Sequence, residues 1–476
     1  LTRSIAVVGA GIAGLAAAYE VSRHPDVQVT LFEASDRLGG TVETVHAEGF
    51  TIECGPDSWV SERAAARELA EELGLAEQLI HSNDAVRRNY LVQGRALAPM
   101  PEGMRMMVPT RWLPILESPL FSWAARLAYL REPKRAEELK RWAAERPADA
   151  DESVRSFVER HFGVEATETI AGPLLAGVFG GDIDTLSAGA VLAPFVRMER
   201  EHGSLIAPMM ARVLADKQAT GSPQPLFTTL RGGLGLLVER LAERIPAPSI
   251  RRQARIVSLG RDPAGWLVTT AGGDSALFDD VLLATPAHGT RDLLLPLDAE
   301  AAALLPLEAT SAVVVALGFD RVASERMRVP RGFGFLVPPA RGICDEPELL
   351  AGTFMEQKFP HRAPPGCVFL RGFFGGAAAL RVLEWSDAEI VGAARARFSR
   401  LLGPLPAAAV TLVRRWPRSL PQYAVGHPGR MEKLAHQVAL MPGLRLIGNA
   451  YHGVGIPVLI EQARRAAREA VTRGRA

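Results

Sequence analysis

The sequence has 476 residues, with 54 Lys plus Arg against 53 Asp plus Glu, a formal charge of +1 and 48% hydrophobic residues. This composition excludes a disordered chain, and the balanced charge lacks the clustered cationic footprint that a nucleic-acid partner requires. At roughly 100 to 200 residues per domain, the length predicts two to four domains. Cys54, Cys344 and Cys367 are odd in number and far apart. No disulfide framework or cysteine metal site is expected, and a reducing, cytoplasmic setting fits. No uncharged apolar run reaches about 18 residues, so no spanning helix is expected. No basic segment precedes an apolar one at the start, so no secretory signal is expected.

In chain order, Ile5-Ala6-Val7-Val8 reads as a strand, Gly9 to Gly14 as a tight turn, Leu15 to Ser22 as an Ala-rich helix and Val27 to Glu33 as a second strand. Together they form one βαβ unit of a doubly wound sheet. Residues 61–80 show helical spacing through Leu69, Leu73, Leu75 and Leu79. From 104 to 170 helical spacing is broken at Pro109, Pro114, Pro119, Pro133 and Pro147, which predicts a set of short helices. We take 86–215 as a helical insertion. Residues 217–225 are a polar linker, and Leu236 to Arg244 is again helical. Val268 to Thr270, Val281 to Ala284 and Ala312 to Phe319 read as strands. Leu444 to Ile447 is a short strand entering the Gly448 turn, with a helix following over about 456–473.

Gly9-x-Gly11-x-x-Gly14, between a strand and a helix, is a dinucleotide fingerprint. The first glycine makes the turn, the second lets a diphosphate approach the backbone, and the third packs helix on strand. Ala10, Ile12 and Ala13 complete the loop. The helix N-terminus offers free N–H groups and a favourable dipole to the anion. Glu33 ends the second strand where a carboxylate accepts ribose hydroxyls, with Ala34 after it. The next segment, Arg37-Leu38-Gly39-Gly40, resembles the RxGG extension of the glutathione-reductase-like and amine-oxidase-like FAD proteins. Its glycines permit close backbone approach, and its guanidinium is expected to reach a diphosphate oxygen. The cofactor expected is non-covalent FAD, and attachment through a C-terminal cysteine is excluded because the last is Cys367.

Gly55-Pro56-Asp57-Ser58-Trp59, Pro99-Met100-Pro101-Glu102-Gly103, Gly177 to Asp182, Phe359 to Pro364, Trp416 with Pro421-Gln422-Tyr423, and Gly453 to Pro457 occur in one order along the chain. Taken together they resemble the oxygen-dependent porphyrinogen oxidases of haem synthesis, which act on protoporphyrinogen IX or coproporphyrinogen III. The resemblance covers nearly the whole chain. It implies an α/β fold: a Rossmann-like FAD-binding domain over 1–85, 226–295 and 440–476, a mixed-sheet substrate domain over 296–439 and the helical insertion. It also implies that Gly55, Pro56, Asp57 and Ser58 lie against the flavin, that Val257 meets the adenine through its main chain, and that Trp416 borders the ring system. Gly448, Val454, Gly455 and Ile456 would present a helix N-terminus to the flavin, where partial positive charge stabilises the reduced anion.

For the substrate, the resemblance implies an apolar sandwich with Phe359 and Leu336 as walls and the Gly177 carbonyl near the reacting carbon. Asn89 stands where many protoporphyrinogen oxidases carry an Arg thought to pair with a propionate, and Arg88 or Arg95 offers an alternative anchor. The Gram-positive-type coproporphyrinogen III oxidases also lack that Arg and share PMPxG and GVGIP with this chain. Coproporphyrinogen III is therefore the favoured substrate, protoporphyrinogen IX the alternative, and oxygen the acceptor. No side-chain base is named, because aromatisation drives proton loss. No metal site is expected, and His161, His202 and His452 read as surface or packing residues. The Met- and Trp-rich stretch from Met104 to Tyr129 is either core or a peripheral membrane contact, and a homodimer is left open. The rival readings are an amine oxidase or carotenoid desaturase on the same fold, and a flavin-binding module that holds porphyrin without turnover.

Overall fold

Five parallel strands form the first sheet, in the order Ile250–Arg251, Val27–Phe32, Arg3–Val8, Asp280–Leu283 and Leu444–Leu446. The computed structural model describes residues 3–147, 149–218, 225–338 and 348–473. Cys344 and residues 219–224 of the expected linker lie outside them. The central strands are apolar over Ile5–Val8 and Val281–Leu283 because both of their faces are covered. Ile5 and Val7 face the helices Ile12–Ser22, Gly235–Arg244 and Ile456–Thr472. Ala6 and Val8 face the antiparallel strands Ile256–Asp262, Gly265–Thr270 and Ser275–Phe278.

The helices Ile12–Ser22 and Ile456–Thr472 pack through alanines, Ala16 and Ala17 on one and Ala463 and Ala467 on the other. Glu20 accepts from Arg464 and Arg468, each at 2.7 Å, and lies 444 and 448 residues from them. The smaller separation also relates Ile12 to Ile456, both in the same core. The helices therefore run parallel, with both N-termini at one end.

The second sheet has seven strands in the order Val410–Pro421, Ala309–Phe319, Val368–Gly375, Ala351–Phe354, Gly334–Leu336, Asn89–Gln93 and Ala96–Pro99. All neighbours are antiparallel except Gly334–Leu336 with Asn89–Gln93. Residues 89–99, expected within the helical insertion, are thus a hairpin of this sheet. Gln93 pairs with Ala96 across Gly94-Arg95, and Gly94 supplies the φ of 60° that such a two-residue turn needs. The helix expected over 61–80 is also shorter. It runs Ala65–Glu72, and Leu79–His81 is a strand paired with Phe227–Leu230.

The proline-broken region is helical from Leu113–Glu117 through Trp123–Arg131, Ala136–Glu145, Val154–Ala166 and Gly172–Phe179 to Ile206–Gln218. Its core holds Met107, Ile115, Phe121, Tyr129, Phe157 and Phe162, while Met106, Leu113, Trp123 and Leu127 are exposed, so the Met104 to Tyr129 stretch is part core and part surface. His161 is buried between two carboxylates, with Nδ1 2.9 Å from Glu132 and Nε2 3.0 Å from Glu199. Glu132 also accepts from Ser204 Oγ and the Leu205 N–H, and Glu199 accepts from Arg160. Burial alone lowers the His161 pKa, but the two carboxylates outweigh it and hold it above the ordinary value. Among the described residues, no helix is long and apolar enough to cross a membrane.

Candidate cofactor and substrate site

The three glycines of the first loop have different neighbours. A Cβ on Gly9 would stand 2.7 Å from the Ala284 carbonyl oxygen, and one on Gly14 only 1.8 Å from that of Gly9. Both positions are closed by the protein itself. A Cβ on Gly11 meets nothing within 4 Å, and its φ of −69° suits any residue. Space above Gly11 is therefore left for a group outside the chain. Gly11 is also the N-cap of the helix and makes no side-chain cap, so the first-turn N–H groups face that space. This arrangement fits the diphosphate of a flavin dinucleotide.

Glu33 stands at the end of the second strand, beside the first loop. Its carboxylate accepts from the Ala10 N–H at 2.8 Å and from the N–H and Oγ of Ser35 at 2.9 and 2.8 Å. Three donors on about four lone-pair sites leave acceptor capacity for a hydroxyl. Ala34 is exposed beside it. Val257 lies at a register shift, with Ile256 opposite Thr270 and Ser258 opposite Thr269, so its main chain is outside the ladder. The second glycine pair packs on the first: Gly39 N–H donates to the Ala10 carbonyl at 2.8 Å, and Gly11 bridges Gly39.

Arg37 departs from the expectation of a diphosphate contact. Its guanidinium donates to the carbonyls of Leu38 and Val42, each at 3.1 Å, and to that of Gly40. These carbonyls lie on its own loop, so Arg37 orders the turn and sits 5.7 Å from the Trp416 ring centroid.

Residues 54–58 rest on a buried charge cluster that the sequence reading missed. The Asp57 carboxylate accepts from Lys358 Nζ at 3.0 and 3.1 Å, from Arg371 at 3.2 Å and from Ser58 Oγ at 2.6 Å. Burial pushes the Asp57 pKa up, but the two cations outweigh it and hold the carboxyl well below its usual range. Arg371 also donates to the Gly55 carbonyl at 2.7 Å, and the Trp416 indole N–H to that of Cys54 at 2.7 Å. Gly55 cannot be replaced, since a Cβ there would lie 1.9 Å from the Thr41 carbonyl oxygen. Pro56 is half-buried between Gly55 and Asp57. Below, Arg362 pairs with Glu53 at 2.8 Å, both fully buried.

A second uncapped helix N-terminus is that of Ile456–Thr472. Its N-cap, Gly455, makes no side-chain cap, and Gly448 is open, with φ +133° and nothing within 4 Å of a Cβ. Tyr423 fixes this turn: its hydroxyl donates to the Asn449 carbonyl at 2.5 Å and accepts from the Gly453 N–H at 3.0 Å. Val454 is half-buried and Ile456 is buried in the helix-packing core.

The structure brings Gly177, Leu336 and Asn89 together. A Cβ on Gly177 would meet Leu336 at 3.2 Å, and Asn89 pairs with Gly334 on the same strand as Leu336. Arg88 is exposed and 3.8 Å from Glu102. Phe359 is placed otherwise than expected: it is fully buried, packed in one core with Phe50, Ile52, Met355 and Phe369. A side chain enclosed on all sides by protein is core, not a pocket wall. Among the described residues, no group of three His, Cys, Asp or Glu is placed to hold a metal.

The sequence matches the family described as flavin containing amine oxidoreductase over residues 12–471. It is 31% identical to the coproporphyrinogen III oxidase of Bacillus subtilis over 99% of this chain and 98% of that one. It is 32% identical to the coproporphyrinogen III oxidase of Propionibacterium freudenreichii, over 98% and 90%. A solved structure from Exiguobacterium sp. 255-15, assigned as a protoporphyrinogen oxidase, is similar with a TM-score of 0.82 at 28% identity, covering 98% of both chains.

Proposed function

We propose that this chain, which belongs to the flavin containing amine oxidoreductases, oxidises a porphyrinogen to a porphyrin in haem synthesis, with coproporphyrinogen III as substrate, FAD as a non-covalent cofactor and oxygen as acceptor. The observation that carries the reading is the full-length likeness to coproporphyrinogen III oxidases at 31 and 32% identity. Residues 9–14 and the backbone of Gly39-Gly40 would hold the diphosphate, Glu33 the ribose and the Val257 main chain the adenine, with Arg37 ordering the second glycine turn. Residues 55–58, Trp416 and the turn through Gly448 to Ile456 would border the ring system. A flavin supplies two-electron acceptance and its own reoxidation by oxygen.

The protein supplies position and electrostatics. The uncapped N-termini at Gly11 and Gly455 favour anionic charge at the diphosphate and at the reduced ring. Gly177, Leu336 and Asn89 would receive the tetrapyrrole, with few polar groups to set its orientation. Each cycle removes one hydride from a meso carbon and one proton; over the three cycles two of those protons leave pyrrole nitrogens and one leaves the fourth meso carbon, so that four meso C–H and two N–H hydrogens are lost. Three cycles take six electrons and six protons from the porphyrinogen, and three molecules of oxygen become three of hydrogen peroxide. The test is aerobic turnover of coproporphyrinogen III with porphyrin and peroxide measured together. About three peroxides per porphyrin above the autoxidation control are expected, and no acceleration over that control would overturn the proposal.

A further inference from the structure

Five charged side chains lie beneath residues 53–58 in two groups, Asp57 with the cations of Lys358 and Arg371, and Glu53 with Arg362. Two negative charges against three positive leave one in excess, inside the protein. The cations also hold unused donors. Arg371 Nε and Arg362 Nε and Nη1 are buried and have no hydrogen-bond partner. Lys358 is 8% exposed, with Nζ 4.4 Å from the Phe227 ring centroid and 5.3 Å from that of Phe359. A fold that needed only a structural ion pair would match each cation with a carboxylate, since an uncompensated buried charge is costly. Here Asp57 is shared between two cations, and the surplus lies directly under the backbone of residues 54–58.

We propose that Lys358 and Arg371 form a charge-tuning site for the flavin, in which the surplus positive charge under residues 54–58 favours the reduced, anionic ring and so favours hydride removal from the substrate. The proposal rests on the reading that residues 55–58 lie against the flavin. Lys358 and Arg371 are positioning residues: they act through the field and through the Gly55 carbonyl that Arg371 holds. Two electrons and one proton pass from the substrate carbon to the cofactor, and the extra negative charge that remains is the one the cluster stabilises. A single charge about 10 Å away at an effective dielectric of about 20 changes such an equilibrium on the order of tenfold.

The experiment equilibrates flavin-loaded wild type, K358M, K358R and D57N with a redox dye of known potential under a slow enzymatic reductant, without substrate. In K358M the reduced-to-oxidised ratio is expected to fall about tenfold, about 30 mV for a two-electron couple. K358R should retain the wild-type value, and D57N should move the opposite way to K358M. Equal potentials in loaded wild type, K358M and D57N would overturn the proposal and leave the cluster a structural support. If K358M does not fold, D57N and K358R decide, and an unshifted D57N overturns the proposal. A wild type that binds no flavin overturns the cofactor reading and the proposal with it, a result distinct from loaded variants with unchanged potentials.

Discussion

Substituting Gly11 and Gly14 separately tests the division of labour in the first loop. Gly11→Ala puts a methyl into open space on a backbone of φ −69° and ψ 178°, a geometry any residue adopts. Exchanging Gly for Ala at an N-cap costs at most about 1 kcal/mol, so the apo-protein should unfold near the wild-type temperature. That methyl occupies the approach a diphosphate needs. FAD affinity should fall by about 100-fold or more, about 2.7 kcal/mol. Gly14→Ala does the reverse, because its methyl would lie 1.8 Å from the Gly9 carbonyl oxygen and the strand, turn and helix must move apart. Such overpacking costs on the order of 1–3 kcal/mol and should lower the apo melting temperature before any cofactor is added. The assay is thermal unfolding of both apo-proteins, followed by FAD titration with flavin fluorescence. Gly11→Ala with wild-type FAD affinity would refute the assignment of the open space, and Gly14→Ala with a wild-type apo melting temperature would refute the packing argument.

Three further outcomes are expected. His161 gains its pKa from Glu132 and Glu199, so its folded value is raised. Its contribution is therefore complete below the unfolded value of about 6.5 and is lost as pH rises through the folded one. Urea unfolding of wild type and H161A should show the largest gap in the acidic range and a narrowing one at alkaline pH, and a gap that widened with pH would contradict the ionised form. Phe359→Ala should cost about 3–5 kcal/mol as a core deletion, while Phe359→Leu should leave KM unchanged. A raised KM in the leucine variant would return Phe359 to the substrate pocket. Tyr423→Phe removes the hydroxyl that holds Asn449 and Gly453. It should destabilise the holo-protein by about 1–3 kcal/mol and weaken flavin retention, as read by flavin release on dilution, and unchanged retention would remove the turn from the site.

What was legible in the sequence was local. Gly9 to Gly14, Glu33 and the helix through Ser22 fall within one βαβ unit, where turn chemistry and hydrophobic spacing act over a few residues. Pro119, Pro133 and Pro147 likewise mark breaks between short helices, because each removes a backbone donor at its own position, whereas Pro109 lies in a short strand paired with Met104–Arg105 and Pro114 in the first turn of a helix. The hairpin over 89–99 was missed because its signal is one glycine turn between two short apolar runs, and short runs do not distinguish strand from helix by period. The charge cluster was invisible for another reason. Arg371 reaches Gly55 across 316 residues and Lys358 reaches Asp57 across 301, distances set by the register of the seven-stranded sheet. The contacts of Arg37 with carbonyls of its own loop were not legible either, because they depend on how residues 38–42 fold back.

The central claim is that this chain removes hydride from a porphyrinogen by way of a bound flavin. The most direct measurement mixes the flavin-loaded protein anaerobically with coproporphyrinogen III, with protoporphyrinogen IX and with a primary amine in separate rapid-mixing runs, following flavin absorbance and porphyrin fluorescence. The account predicts bleaching with simultaneous porphyrin formation, fastest with coproporphyrinogen III. Faster bleaching with protoporphyrinogen IX would contradict the substrate assignment. Bleaching by the amine alone, or by none of the three, would contradict the claim itself.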